Sequence, residues 1–214
     1  MKMVTTTMMT MMMITMMMTT TASGALAQLP RPCDALYKPL PTKHLDQVFG
    51  EWRLHWGAAE FLQIDDLAHS HVSLRPKREI VHLLERNKYR DHSCVTYSLN
   101  VTAPADPTTA DPLILPAVID RVVSNGSLLT LNVSFMLHFY ERSSEAMLMF
   151  VEAGEMGHFL LSYTRAGHRV DSSQLEVEHE KLARMVACLS FTPGRLFIYD
   201  GKAEVCAAES TTDE

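Results

Sequence analysis

The chain has 214 residues, a formal net charge of −6 at pH 7 and 47% hydrophobic residues. This length suits a single domain with a substantial core, and the acidic balance argues against nucleic acid or an anionic membrane as the main partner. Four cysteines and three Asn-X-Ser/Thr sequons fit a protein that is exported and can form disulfides.

The N-terminal segment has the parts of a secretory signal peptide. It begins with Lys2, continues with an uncharged stretch rich in Met and Thr, and ends in Ala25-Leu26-Ala27. We therefore predict residues 1–27 as the signal peptide and residues 28–214 as one secreted, extracellular domain. The alternative is that this segment is retained as an N-terminal membrane anchor. No later stretch approaches the ~18–20 apolar residues that a membrane helix needs.

The mature chain starts with an extended lead-in and continues as short strands. Four prolines up to Pro41 exclude a regular helix in the lead-in, which Cys33 ties down. The segments 50–56 and 94–102 alternate apolar and polar residues with the period of two that indicates one dry face. Turn residues separate further predicted strands, which are His71–Leu74, Glu79–Glu85, Leu128–Phe135, Leu137–Glu141, Ala146–Val151 and His158–Thr164.

Three other segments complete the pattern. Residues 103–117 contain four prolines and are predicted to be a long exposed loop. A helix is predicted from the N-cap Ser173 to Cys188, because Glu176 completes a capping box and apolar residues recur at steps of three or four. A last short strand is predicted at Leu196–Tyr199. This order predicts an all-β fold, an eight-stranded antiparallel up-and-down barrel with one C-terminal α-helix packed outside.

Several motifs resemble those of the lipocalin family. Gly50-Glu51-Trp52 is similar to the G-x-W motif of the first lipocalin strand, and the late helix and last strand fall where that fold places them. Within this family the chain is similar to the alpha-1-acid glycoprotein (orosomucoid) group, with its saxitoxin/tetrodotoxin-binding and tributyltin-binding relatives in fish. The matching stretches are Cys33-Asp34-Ala35-Leu36, Lys38-Pro39-Leu40-Pro41, Cys94, Ala187-Cys188-Leu189 and Cys206.

Two lipocalin motifs are altered. Glu152-Ala153-Gly154-Glu155 stands in place of the Thr-Asp pair of the second motif. The arginine of the third motif has only Arg195 as a candidate. These departures leave the fold prediction intact but weaken any inference about receptor contacts.

The resemblance implies a role for each group of singled-out residues. Four cysteines allow three pairings, and the family implies Cys33–Cys188 and Cys94–Cys206. Trp52 would plug the closed end of the barrel against the helix end. The side chains predicted to line a ligand cavity, for which core packing is the alternative, are Trp56, Tyr97, Leu99, Phe135, Phe150, Phe159 and Tyr163.

Other sequence features indicate sites of covalent modification rather than sites of catalysis. The sequons make Asn100, Asn125 and Asn132 glycosylation sites, with Asn100 and Asn132 on outward faces. His69 and His71 could share one strand face, but no further ligand at a familiar spacing supports a metal site. We expect no cofactor and no catalytic residue.

The predicted function is that of a carrier. A monomer would bind one small apolar or amphipathic molecule, such as a lipid, steroid, drug or toxin, in the barrel and carry it through plasma or another extracellular fluid. The alternatives are a lipid carrier on lipoprotein particles, similar to apolipoprotein M, and an isomerase of the lipocalin type. The isomerase would require an unpaired cysteine facing inward.

Overall fold

The computed structural model describes residues 36–61, 64–168, 172–189, 192–202 and 205–206, with helix side chains from residue 176 onward. Strands dominate these ranges. They are β1 (Gly50–Ala59), β2 (Leu67–Lys77), β3 (Ile80–Tyr89), β4 (Cys94–Thr102), β5 (Ile114–Ser124), β6 (Ser127–Leu129), β7 (Ser134–Tyr140), β8 (Ala146–Glu152), β9 (His158–Arg165) and β10 (Arg195–Ile198). The α-helix α1 spans Ser172–Cys188, and 3-10 helices span Thr42–Val48 and Gly154–Met156.

Antiparallel pairing closes the sheet into a barrel. The strands pair in the order β1-β2-β3-β4-β5-β7-β8-β9, and β1 pairs again with β9. β10 is added to β1 at Trp56–Ala59, and the short β6 is added to β5. Eight strands therefore form the closed barrel, and the predicted up-and-down architecture is confirmed.

One barrel strand lies where a loop was predicted. The predicted loop 103–117 is wrong at its end, because β5 begins at Ile114. Leu113, Leu115 and Ala117 are buried in alternation while Pro116 takes an exposed position, so the strand accommodates the proline. The predicted strand Leu128–Phe135 is also wrong, because residues 130–133 separate β6 from β7.

The helix α1 packs against the outside of the barrel, as predicted. Leu182, Met185 and Val186 form one apolar cluster with outward-facing side chains of β1, β7, β8 and β9. Glu178 of the helix accepts hydrogen bonds from the Tyr37 hydroxyl and the Arg142 guanidinium. The helix begins one residue before the predicted cap Ser173, whose side chain lies outside the described part of the chain. None of the described helices is long and apolar enough to cross a membrane.

Trp52 is buried near the start of β1, and not against the C-terminal helix as predicted. Its indole Nε1 donates to the Val48 carbonyl at 2.9 Å, so it packs against the 3-10 helix Thr42–Val48 rather than α1. The Arg165 guanidinium lies 4.3 Å from the indole ring centroid. Gly50, two residues before Trp52, has a φ of +133°, a backbone conformation that L side chains rarely adopt, which explains the glycine at this position. Arg195 instead pairs with Asp65 at 3.1 Å.

A disulfide joins the C-terminal segment to the barrel. Cys94 at the start of β4 is bonded to Cys206, as the resemblance implied. Cys188 at the end of α1 is also disulfide-bonded. Its predicted partner, Cys33, lies outside the described residues.

Candidate ligand-binding cavity

A bulge in β1 decides which of its side chains face the interior. The pairing of β1 with β9 shifts register between Leu54 and Trp56. Such a bulge places two consecutive residues on the same face. Leu54 points into the barrel, whereas His55 and Trp56 both contact His179 of α1, with ring centroids 6.0 and 6.5 Å apart. The prediction that Trp56 faces inward is therefore wrong.

Beyond the bulge, the barrel encloses a cavity of about 400 Å³. Most of its wall is apolar. Residues Ile64, Leu131 and Met156 come from connections at one end of the barrel, opposite Trp52. The other apolar lining side chains belong mainly to the strands and are Leu54, Leu67, Val72, Leu83, Leu99, Ile119, Val133, Phe135, Leu137, Met149, Val151, Phe159 and Leu161. This volume and lining are typical of a small-molecule site.

The structure brings together four of the seven predicted lining residues. Tyr97, Leu99, Phe135 and Phe159 line the cavity. Tyr163 faces the barrel interior but is fully buried in the core outside the cavity lining. Phe150, like Trp56, belongs to the apolar cluster under α1, so its predicted position in the cavity is wrong. In β8 it is the alternate residues Met149 and Val151 that face inward.

The cavity also has a polar side, which the sequence reasoning missed. Glu85, Asn87 and Tyr89 lie on the inward face of β3, and Tyr97 lies on the adjacent β4. Asn87 Nδ2 donates to Glu85 Oε1 at 2.8 Å, and Ser70 Oγ donates to the same oxygen at 3.4 Å. The available signal was the alternation Leu83-Glu85-Asn87-Tyr89, which the prediction lost by ending the strand at Glu85.

Burial raises the pKa values of the titratable groups on this polar side. Burial raises the pKa of Glu85, although hydrogen bonds from Asn87 and Ser70 oppose the shift. Burial also raises the pKa of Tyr89 and Tyr97, and for Tyr97 the neighbouring Tyr89 and Glu85 add to the increase. Both phenols therefore stay neutral at physiological pH.

The cavity offers acceptors that a ligand could use. Asn87 Oδ1 is buried and has no hydrogen-bond partner among the described residues. Glu85 presents a carboxyl group beside it. A buried acceptor without a partner is costly, so a ligand that brings a hydrogen-bond donor to this place would remove the cost.

The histidine pair and the asparagines of the sequons do not line the cavity. His69 and His71 lie on the outer face of β2, where His69 packs edge-on against Tyr199 at 5.3 Å and His71 lies 3.4 Å from Glu51. No group of three or more potential metal ligands occurs in the described part of the chain. Among the sequon residues, Asn100 is half-buried, whereas Asn125 and Asn132 are exposed.

Comparisons with known proteins agree with the predicted resemblance. No family model matches the chain. Saxitoxin and tetrodotoxin-binding proteins 1 and 2 of Takifugu pardalis are both 29% identical to it over 188 residues, which cover 86% of this chain and 47% of each relative. The chain thus spans about half the length of the curated relatives it matches. The predicted resemblance to these toxin-binding proteins is confirmed.

Two solved structures show weaker similarity. Apocrustacyanin C2 matches with a TM-score of 0.43 at 8% identity, covering 72% of this chain and 77% of that one. Lobster apocrustacyanin A1 matches with a TM-score of 0.42 at 8% identity, covering 74% of this chain and 79% of that one. The assignment of the barrel rests on the strand pairing described above.

Proposed function

We propose that this protein is a secreted carrier that binds one small apolar or amphipathic molecule inside its barrel. The observation that carries this proposal is the cavity of about 400 Å³ with a mostly apolar wall and acceptors on one side. Burial of apolar ligand surface would supply the binding free energy, at about 25 cal/mol per Å². The cost of ordering the ligand reduces the net affinity.

The polar side would orient the ligand. An amphipathic molecule that carries a protonated amine or another donor would place this group against Glu85 and Asn87, with its apolar part among Leu99, Phe135 and Phe159. A bound cation would lower the pKa of Glu85 and so favour the charged carboxylate. The relatives are named for saxitoxin and tetrodotoxin, which makes these two compounds natural first ligands to test.

Native mass spectrometry tests the proposal. Protein purified from its source fluid should carry a co-purifying small molecule at one copy per chain, and the delipidated protein should rebind it. Titration with a neutral solvatochromic dye should show one saturable site, from which active ligands, including saxitoxin and tetrodotoxin, displace the dye. Leu99→Trp should reduce dye binding by filling the cavity, whereas Val177→Trp, on the exposed surface of α1, should not. A protein that binds no dye and carries no small molecule would contradict the proposal.

Secretion is the second part of the proposal. Residues 1–27 carry the signal-peptide pattern, and a disulfide such as Cys94–Cys206 is typical of oxidising compartments. N-terminal sequencing of protein from the medium of expressing cells should find Gln28 or a neighbouring residue at the start. An intact N-terminus would instead favour the anchored lipoprotein carrier.

A binding role agrees better with the cysteines than the isomerase alternative does. Cys94, Cys188 and Cys206 are disulfide-bonded, and none of them lines the cavity. The described residues therefore supply no inward thiol for cysteine-dependent chemistry. The relatives are likewise named as binding proteins.

A further inference from the structure

The connection between β6 and β7 forms part of the cavity wall. Leu131 and Val133 of this connection line the cavity at the end opposite Trp52. The Ile119 N–H donates to the Val133 carbonyl at 3.1 Å and holds the connection against β5. Residues 130–133 have no strand pairing of their own. This part of the wall is thus a single segment that connects two strands.

Asn132 lies between these two lining residues and is itself exposed. Asn132 does not line the cavity, although Leu131 and Val133 on either side of it do. Ser134, which completes the sequon, is also exposed. The attachment site therefore lies on the outer surface of the segment that walls the cavity.

We propose that an N-linked glycan on Asn132 controls how fast ligands enter and leave the cavity, an inference that rests on the proposed carrier function. In the modification, Asn132 Nδ2 loses a proton and bonds to the anomeric carbon of a lipid-linked oligosaccharide, and the lipid pyrophosphate leaves. The attached oligosaccharide is bulky and well hydrated. It covers the end of the barrel beside Leu131, whose side chain is 44% exposed, and it restrains outward movement of the segment.

Such a glycan changes rates more than affinity. It lies outside the wall and makes no contact with a bound ligand, so it stabilises neither the bound nor the free state selectively. It obstructs passage in both directions, which slows association and dissociation by the same factor. The dissociation constant consequently stays nearly constant.

The test compares two matched serine variants made in glycosylating cells. Ser134→Ala removes the sequon of Asn132, and Ser127→Ala removes that of Asn125, and both serines are exposed. Neither substitution alters the asparagine, and the hydrogen bond from the Cys94 N–H to Asn125 Oδ1 is kept. Peptide mapping establishes occupancy, and stopped-flow fluorescence with a neutral solvatochromic dye gives both rate constants.

We expect an occupied Asn132 in the unchanged protein and, in Ser134→Ala, association and dissociation that are each at least about threefold faster with a dissociation constant within about twofold. Ser127→Ala should keep the original rates. Enzymatic deglycosylation of the folded, unchanged protein should reproduce the Ser134→Ala rates, which excludes a folding defect of the variant as the cause.

Three results would overturn the inference. They are an unmodified Asn132, rates in Ser134→Ala equal to those of the unchanged protein, and an equal acceleration in both serine variants. If neither the glycosylated nor the deglycosylated protein binds the dye, the carrier proposal fails as well. Normal binding with unaltered rates refutes only the role of the glycan.

Discussion

The carboxyl group of Glu85 lies in a cavity whose other walls are mostly apolar, and this contrast gives the proposed carrier its means of selecting ligands. Asn87 and Ser70 both donate to Oε1 and hold the side chain in place. A ligand with a protonated amine gains a charge-assisted hydrogen bond from the carboxylate, which is worth about 1.5–3 kcal/mol. An apolar ligand of the same length gains nothing from Glu85.

Glu85→Gln should therefore weaken the binding of a protonated long-chain amine by about tenfold or more, because the substitution removes the charge. Binding of the matched long-chain alcohol should change by less than about threefold. Isothermal titration calorimetry measures both ligands. Glu155→Gln is the control, since it removes an exposed carboxylate from the connection between β8 and β9. Equal losses for amine and alcohol would show that the variant damages the cavity as a whole.

His55 is the second residue whose burial has a measurable consequence. It lies between the barrel and α1, and neither ring nitrogen has a hydrogen-bond partner among the described residues. Burial lowers the pKa of His55 to about 3, with further contributions from Arg142, His179 and Arg53. The unfolded chain has an ordinary histidine pKa of about 6.5 and so binds a proton first as the pH falls.

This difference predicts a loss of stability in acid. The contribution of His55 is fully present above about pH 6.5 and is lost as the pH falls from there towards about 3, at up to about 1.4 kcal/mol per pH unit. Urea unfolding between pH 4 and 7 should show a smaller slope for His55→Phe than for the unchanged protein. His92→Asn, in an exposed turn, should keep the original slope. Parallel slopes for all three proteins would mean that His55 takes up its proton equally in the native and the unfolded state, which would contradict this prediction.

Among the elements, α1 packs on the outside of the barrel, whereas the barrel and its connecting segments form the cavity. The helix covers the outer faces of four strands, whereas the cavity lies on their inner faces. The helix therefore contributes to stability without forming the binding site. The bulge in β1 supports this division, because it turns Trp56 towards α1 and leaves Gly57 inside, with Leu161 3.2 Å from the position of its missing Cβ.

A truncation in the helix should separate stability from binding. Leu182 is fully buried, so Leu182→Ala should lower the free energy of unfolding by about 2–4 kcal/mol. Dye affinity at a temperature well below the melting point should be unchanged. Val177→Ala, at a helix position that is 69% exposed, should cost less than about 0.5 kcal/mol. A clear loss of dye affinity in Leu182→Ala would show that the helix shapes the cavity.

For the whole molecule, the Cys94–Cys206 disulfide links two distant parts of the chain. The cysteines are 112 residues apart, so the bond restricts the unfolded chain strongly. The double variant Cys94→Ser/Cys206→Ser should lower the free energy of unfolding by about 2–5 kcal/mol in urea titrations. It should still bind dye when folded, because neither cysteine lines the cavity. An unaltered unfolding midpoint would mean that the disulfide does not stabilise the part of the chain that unfolds cooperatively.

Much of this structure could be predicted from the sequence, and the misses have physical causes. Alternation over residues 94–102 predicted β4 to the residue, because one face of that strand packs inward while the other does not. Four prolines concealed β5, since a proline on the exposed face of a strand does not prevent pairing through the other residues. Arg165, not Arg195, lies over Trp52, and the 112 residues of chain between them hide that contact from any local pattern.

The sequence by itself predicted the barrel, the outer helix and the face of β4 that carries Tyr97 and Leu99, because these follow from local periodicity and from motifs of fixed spacing. The tertiary structure alone decided that Trp56 and Phe150 face α1 and that Glu85 and Asn87 form the polar side of the cavity. For Trp56 the physical reason is that one bulge reverses every later position in β1. Pairing between strands, which local sequence does not specify, sets where the bulge falls and which polar side chains meet.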